Sequence, residues 1–286
     1  MGDQANIQRI ILCFLFVSLA QASQKKGISG WSGFYKCEDF KALNNVTWMY
    51  DWHKDLSEIY LKHMTKINCP RSTYEQYLPE YVPMIYTFSN NSGHQHFQHF
   101  PNASRTAKYI LGFNEPDHTD QANMTPREAA DRWPDIEKAN PGIPLVSPAP
   151  AGANLHWLEN FFHLCHGCRV DYVAAHSYAC NTDKIMNYLH TLYQRFGKKV
   201  WLTEFACPHT NDRNVQLRFM KEILPRLEAA DYVFRYSWFQ ARIYDSLGGG
   251  FMTSSASLFW PNSPYLNPLG HFYNDFHLGQ SPQVIG

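Results

Sequence analysis

Two glutamates stand at equivalent places in two similar stretches of this chain. Tyr109–Pro116 reads YILGFNEP, an apolar run that delivers Glu115 and stops at a proline; 89 positions on, Val200–Phe205 reads VWLTEF and delivers Glu204. A pair of carboxyl groups is the minimal equipment for hydrolysing a glycosidic bond, one protonating the leaving oxygen and the other attacking the sugar. A lone strand-end glutamate is ordinarily a surface or helix-capping residue. Two of them, each preceded by an apolar strand and flanked by aromatics, form a pattern. The acid must be held protonated and the nucleophile ionised, so the first pocket is expected to raise its carboxyl pKa and the second to supply hydrogen-bond donors. His176 and Tyr178, one strand before Glu204, are candidate donors, with core packing as the alternative. Trp52 and Trp238 lie near strand ends and are candidates for stacking on sugar rings.

Positioning these residues requires strands whose carboxyl ends converge. Strands are expected over Gly27–Phe34, Val46–Trp52, Tyr81–Phe88, Lys108–Phe113, Pro144–Ser147, Val170–Tyr178, Val200–Phe205 and Tyr232–Phe239. Between them, helical spacing of apolar residues appears over Asp55–Thr65, Trp157–Leu164, Ile185–Phe196 and Leu217–Leu227, with Pro225 expected to kink or break the last. Thr125, Pro126 and Glu128 form a capping signature for a helix running to about Ala139. Asn181 or Thr182 caps the helix through Ile185, and a final helix is expected around Pro268–Phe276. Eight strands alternating with helical segments predict an α/β fold of the (β/α)8 barrel type, in which chemistry sits at the carboxyl ends of the strands. The alternative, a doubly wound open sheet, lacks a Gly-rich phosphate loop after an early strand.

Lys plus Arg and Asp plus Glu both number 25. That balance gives no electrostatic footprint for nucleic acid or an acidic membrane surface, so a neutral partner is expected. Arg9, the apolar run Ile10–Ala20 and the small-residue site Ala20-Gln21-Ala22 read as a secretory signal over residues 1–22. The run is short of the roughly 20 apolar residues a membrane-spanning helix needs. Residues 23–286 then form one domain, secreted, expected to be monomeric and without a cofactor. Loss of Cys13 with the signal leaves six cysteines, which an oxidising compartment would pair. Six allow 15 connectivities; the preferred set is Cys37 with Cys69, Cys165 with Cys168 and Cys180 with Cys207, each joining neighbours in the expected architecture. Asn45, Asn90, Asn102 and Asn123 open N-glycosylation sequons. Two histidine-rich stretches, His94/His96/His99 and His163–Cys168, are weak as metal sites: the first has no second ligand cluster, and the second is better explained by a disulfide.

The motifs GFNEP (Gly112–Pro116), HSY (His176–Tyr178), WLTEFAC (Trp201–Cys207) and PLGHFYN (Pro268–Asn274) together resemble glycoside hydrolase family 128, the alkali-sensitive-linkage type of catalytic domain, over nearly the whole chain after the signal. The resemblance implies a clan A (β/α)8 barrel and an endo-acting, retaining β-1,3-glucanase. It implies Glu115 as acid/base, Glu204 as nucleophile, and Asn114 as the partner of the sugar 2-hydroxyl. Two positions depart from the family pattern: Ser177 stands where a Trp is usual, and Asp51 where an Asn precedes the Trp of strand two. Two other readings stay open, a non-catalytic β-glucan-binding barrel and the same chemistry on another β-linked polysaccharide.

Overall fold

The computed structural model describes residues 22–30, 36–55, 68–70, 72, 76–88, 107–244, 246–247 and 250–277. The expected helix after Asp55, the histidines at 94, 96 and 99, and the sequons at Asn90 and Asn102 lie outside these residues. Among the described residues eight parallel strands carry the fold: β1 (Lys26–Ser29), β2 (Trp48–Tyr50), β3 (Glu80–Tyr81), β4 (Ile110–Leu111), β5 (Leu145–Val146), β6 (Val173–His176), β7 (Val200–Phe205) and β8 (Val233–Phe239). Six join in one sheet in the order β3-β2-β1-β8-β7-β6, and β4 pairs with β5. Single parallel bridges, Met84 with Leu111 and Val146 with Tyr172, link this pair to its neighbours on either side. A small antiparallel pair, β9 (Ser246–Leu247) and β10 (Met252–Thr253), lies in the Gly-rich loop, where no strand was expected.

Among the described residues the α-helices are α1 (Asp39–Ala42), α2 (Pro126–Ala139), α3 (Leu155–Leu164), α4 (Thr182–Phe196), α5 (Arg213–Ala229) and α6 (Pro268–Asp275). Thr125 caps α2 through a capping box with Glu128, and Asn181 caps α4 by accepting from the Lys184 N–H. Of the kink or break expected at Pro225, no break occurs: α5 runs through it from Arg213 to Ala229. Proline removes one N–H donor from the ladder, but Phe219, Met220, Ile223, Leu224 and Leu227 are all buried around it. Packing therefore outweighs the lost bond.

Side-chain alternation sorts each strand into two cores. Met49, Ile110, Leu145, Val173, Ala175, Val200, Leu202, Tyr236 and Trp238 join the helix residues Trp133, Phe161, Leu189 and Ile223 in one large cluster. Their neighbours of opposite parity, Trp48, Tyr50, Leu111, Val146, Ala174 and Trp201, form the second. Into this second core Arg235 projects its guanidinium, about which the rings of Tyr109 and Trp201 lie at 4.7 and 4.9 Å, and it closes a two-pronged ion pair with Glu80 at 2.9 and 3.1 Å. The Lys26 ammonium ties the first strand to the last helix, donating to the carbonyls of Tyr273, Asn274 and Phe276. Disulfides join Cys37 to Cys69, Cys165 to Cys168 and Cys180 to Cys207.

Gly112, between β4 and the Asn114-Glu115 pair, has no room for a side chain. A Cβ there would lie 2.9 Å from the backbone of Ser147 and Pro148 and from the Trp133 ring. Overpacking against fixed backbone costs about 1–3 kcal/mol. Gly112→Ala is therefore expected to lower the urea-unfolding free energy by about that amount, whereas Gly142→Ala, at a position with open space but a positive φ, reports the backbone strain alone.

Candidate active site

Glu204, next to last in β7, is 4 % exposed. Its Oε2 accepts from the Tyr178 hydroxyl at 2.6 Å, and its Oε1 from the Trp52 indole at 3.0 Å and the Tyr50 hydroxyl at 3.1 Å. These donors come from the end of β2, the second residue beyond it, and the loop after β6. Burial, and then the charge of Glu204, push both tyrosine hydroxyls well above their usual pKa, so they remain donors. Hydrogen bonds to a charged group contribute about 1.5–3 kcal/mol each. The set therefore fixes Glu204 in one orientation.

Glu115 follows β4, and its backbone N–H donates to the Ala149 carbonyl at 2.8 Å. Two residues of the site adopt positive φ without being glycine, Glu115 at 41° and Trp52 at 64°. Such conformations are sparsely populated and persist where the surroundings over-determine them. Around Glu115 these surroundings include Asp117, which accepts from the Ala151 N–H at 2.7 Å and the Asn154 amide at 2.8 Å.

His176, fully buried, stands between the glutamates: its Nδ1 is 2.9 Å from Glu115 Oε1 and 3.4 Å from Glu204 Oε2. Atoms of all three groups lie within 4.8 Å of one another, a spacing that would also suit a metal ion. The surroundings of Glu204 argue for a hydrogen-bonded anion instead, because an indole N–H and two hydroxyls already point at its oxygens.

Burial is the largest influence on each group and disfavours its charge. For Glu115 the hydrogen bond and charge of His176 outweigh burial, and its carboxyl lies below its usual 4.5. For His176 the two carboxylates outweigh burial, and the imidazole lies above its usual 6.5. For Glu204 burial, reinforced by the charge of Glu115, outweighs the help of His176, Tyr178 and Trp52, and its value is raised. Both carboxyl directions are opposite to those expected from the sequence. The cause is His176, which sits nearer to Glu115 and leaves the better-buried Glu204 to bear the desolvation.

The other expected site residues divide. Asn114 is buried beside Glu115; its amide donates to Gln121 Oε1 at 3.3 Å, and its Oδ1 has no donor in hydrogen-bonding geometry. Trp52 reaches the site, but Trp238 does not. Its ring lies among Phe205, Phe219 and Tyr273, and its indole donates to the Ala256 carbonyl at 2.8 Å. Strand parity is the reason: Arg235 and Ser237 occupy the face of β8 opposite to Tyr236 and Trp238, and the polar pair in that alternation was the available signal. Tyr50 was missed, although it shares parity with Trp52. Ser177 is buried and Asp51 fully so, the latter accepting from the Tyr81 hydroxyl at 3.0 Å. Of the sequons, Asn45 is half-buried and Asn123 exposed.

Two carboxyl groups this close, at the carboxyl ends of β4 and β7 of a parallel α/β fold, define a glycosidase-like site. The chain belongs to the glycosyl hydrolase catalytic core family, which it matches over residues 29–273, and its likeness to solved members places it with glycoside hydrolase family 128. An endo-β-1,3-glucanase of Sorangium cellulosum is 30 % identical with a TM-score of 0.70, covering 87 % of this chain and 97 % of that one. An endo-β-1,3-glucanase of Amycolatopsis mediterranei, solved with laminarihexaose, is 26 % identical with a TM-score of 0.66, covering 88 % and 99 %. The curated Alkali-sensitive linkage protein 1 of Schizosaccharomyces pombe is 30 % identical over 175 residues, 57 % of this chain. This chain spans about a third of that relative's length, the aligned part being 32 % of it. Among the described residues no helix is long and apolar enough to cross a membrane.

Folding raises the pKa of His176, so its stabilising contribution is in place below the unfolded imidazole's 6.5 and is lost as pH rises through the higher folded value. Folding lowers that of Glu115, so its contribution is in place above 4.5 and is lost as pH falls through the lower folded value. The stability difference between wild type and His176→Gln, from urea unfolding, is expected to be widest between pH 4.5 and 6.5 and to narrow on both sides. A difference that does not vary with pH would contradict the ion pairing.

Proposed function

We propose that this protein is a secreted, monomeric, retaining glycoside hydrolase that cuts internal bonds of β-1,3-glucan, with Glu204 as nucleophile and Glu115 as acid/base on a closed (β/α)8 barrel. The observation that carries the reading is that one oxygen of each carboxyl group lies within 4.8 Å of one oxygen of the other. Retaining enzymes hold their carboxyls ~5–5.5 Å apart, whereas inverting ones need ~6.5–9.5 Å to admit a water. The ladders and single bridges between successive strands support the barrel, and the glucanases of similar fold and sequence support the substrate.

In the first step a Glu204 oxygen attacks the anomeric carbon as the bond to the leaving oxygen breaks, and the proton on Glu115 passes to that oxygen. In the second, Glu115 takes a proton from water, the water oxygen attacks the same carbon, and the ester to Glu204 breaks. In the free protein the contact between His176 Nδ1 and Glu115 favours the proton on the imidazole, raising its pKa and lowering that of the carboxyl. Transfer along that contact arms the acid. Esterification of Glu204 then removes the neighbouring negative charge, which favours an ionised Glu115 for the second step. Asn114 Oδ1, buried and without a donor, would accept the sugar 2-hydroxyl.

A second reading has a specific observation in its favour: an acid held below its usual pKa by His176 suits a barrel that binds glucan without cutting it. Release of reducing ends from a linear β-1,3-glucan separates the two. Wild type is expected to release them, and Glu204→Gln and Glu115→Gln each to lose at least about 10³-fold, the scale of removing a catalytic group. Glucan binding by an inert wild type would establish the second reading.

A further inference from the structure

Among the described residues only three large hydrophobic side chains are exposed, and two share one loop: Trp260 at 44 % and Tyr265 at 73 %; the third, Tyr193, is on α4. The loop runs between β10 and α6 and folds as a tight hairpin. Phe259 pairs antiparallel with Leu266, and the Trp260 N–H donates to the Tyr265 carbonyl at 3.1 Å. Residues opposed across an antiparallel pair project to the same face, their Cβ atoms about 5 Å apart. Trp260 and Tyr265 are such a pair.

The hairpin is held from beneath by an ion pair with almost no exposure. Arg242 binds Asp39 through Nε and Nη2 at 2.6 and 2.7 Å, and its guanidinium also donates to the carbonyls of Trp260 and Ser263. Asn267 ties the base to the carbonyls of Ser257 and Phe259. The Arg213 guanidinium, at the start of α5, lies 5.0 Å from the centre of the Trp260 ring. Two exposed rings are thus fixed in advance of any ligand, which lowers the entropy cost of binding. The loop is anchored on the segment that leaves β8 at the end where Glu115 and Glu204 stand: the Leu258 N–H donates to the Ala241 carbonyl at 3.0 Å, and Arg242 holds the Trp260 carbonyl. Phe239, last in β8, packs on both Trp52 and Tyr178.

We propose that Trp260 and Tyr265 form a second carbohydrate-binding site, a two-ring platform that stacks on sugar units of a β-glucan chain outside the catalytic pair. The ligand class rests on the function proposed above. Trp and Tyr join an apolar face to a polar tip, which matches a pyranose ring with its apolar C–H face and hydroxyl edge. A protein partner would need about 800 Å² on each side, and two isolated rings do not provide it. A polymer held at both places gains effective concentration at the cleft, an advantage that a short oligosaccharide cannot use.

The test is mobility in native gels containing linear β-1,3-glucan, in the Glu204→Gln background so that the polymer stays intact, with thermal unfolding as a check on folding. The glucan is expected to retard the parent protein and to retard Trp260→Ala/Tyr265→Ala much less. With Glu204 present, the same double substitution is expected to raise KM on the polymer at least about tenfold and to leave hydrolysis of a laminari-oligosaccharide of three units unchanged. Equal retardation of both proteins would overturn the proposal, as would a parallel loss on the short substrate. A change in sedimentation without a change in retardation would assign the rings to self-association instead. Because the gel reads binding alone, absence of hydrolysis would remove the proposed activity and leave the platform standing or falling on its own result.

Discussion

The structure turns on one buried anion. Glu204 has lost nearly all its water, and an isolated carboxylate in that position would take up a proton. What opposes this is a cage of donors, Tyr50, Trp52 and Tyr178, with the His176 imidazole alongside. The cage brings β2, remote in sequence, against β6 and β7, so it assembles only when the parallel sheet is in register. The functional centre is therefore a direct consequence of the fold and not a local motif.

Several features hold that register. The Cys180–Cys207 disulfide joins the loops that follow β6 and β7, close to Tyr178 on one side and Glu204 on the other. Gly112 lets the Ser147–Pro148 backbone come close to the segment that carries Asn114 and Glu115. Trp52 and Glu115 take up left-handed backbone conformations, a local cost of order 1–3 kcal/mol each. Aromatic edge contacts from Phe239 to Trp52 and Tyr178 brace the cage from β8. The second core, crowded with Trp48, Trp201, Tyr109 and the paired Arg235, lies beneath it.

Much of this was legible in the residues. VWLTEF reads as a strand and is one from Val200 to Phe205; the Thr125–Glu128 signature starts α2 as expected. These succeed because they rest on local propensity and capping. Strand ends were less legible: β4 occupies only Ile110–Leu111 of a longer apolar run, since pairing partners and not propensity decide where a ladder stops. Trp238 shows the same limit, because its closeness to a strand end was readable but its face depended on parity across the whole of β8. The direction of the carboxyl pKa shifts was not legible at all. It depends on His176 standing nearer to Glu115 than to Glu204, a distance that no spacing in the sequence encodes.

The contact between His176 and Glu115, which raises the imidazole and lowers the carboxyl, distinguishes this site from one whose acid is held up by burial alone, and the catalytic claim has a direct check. The most direct measurement is the anomeric configuration of the first product released from a β-1,3-linked oligosaccharide, followed by proton NMR before mutarotation. Carboxyl oxygens within 4.8 Å of each other predict double displacement and a β-configured product first. Initial release of the α-anomer would mean that water attacks directly, and would contradict the assignment of Glu204 as nucleophile.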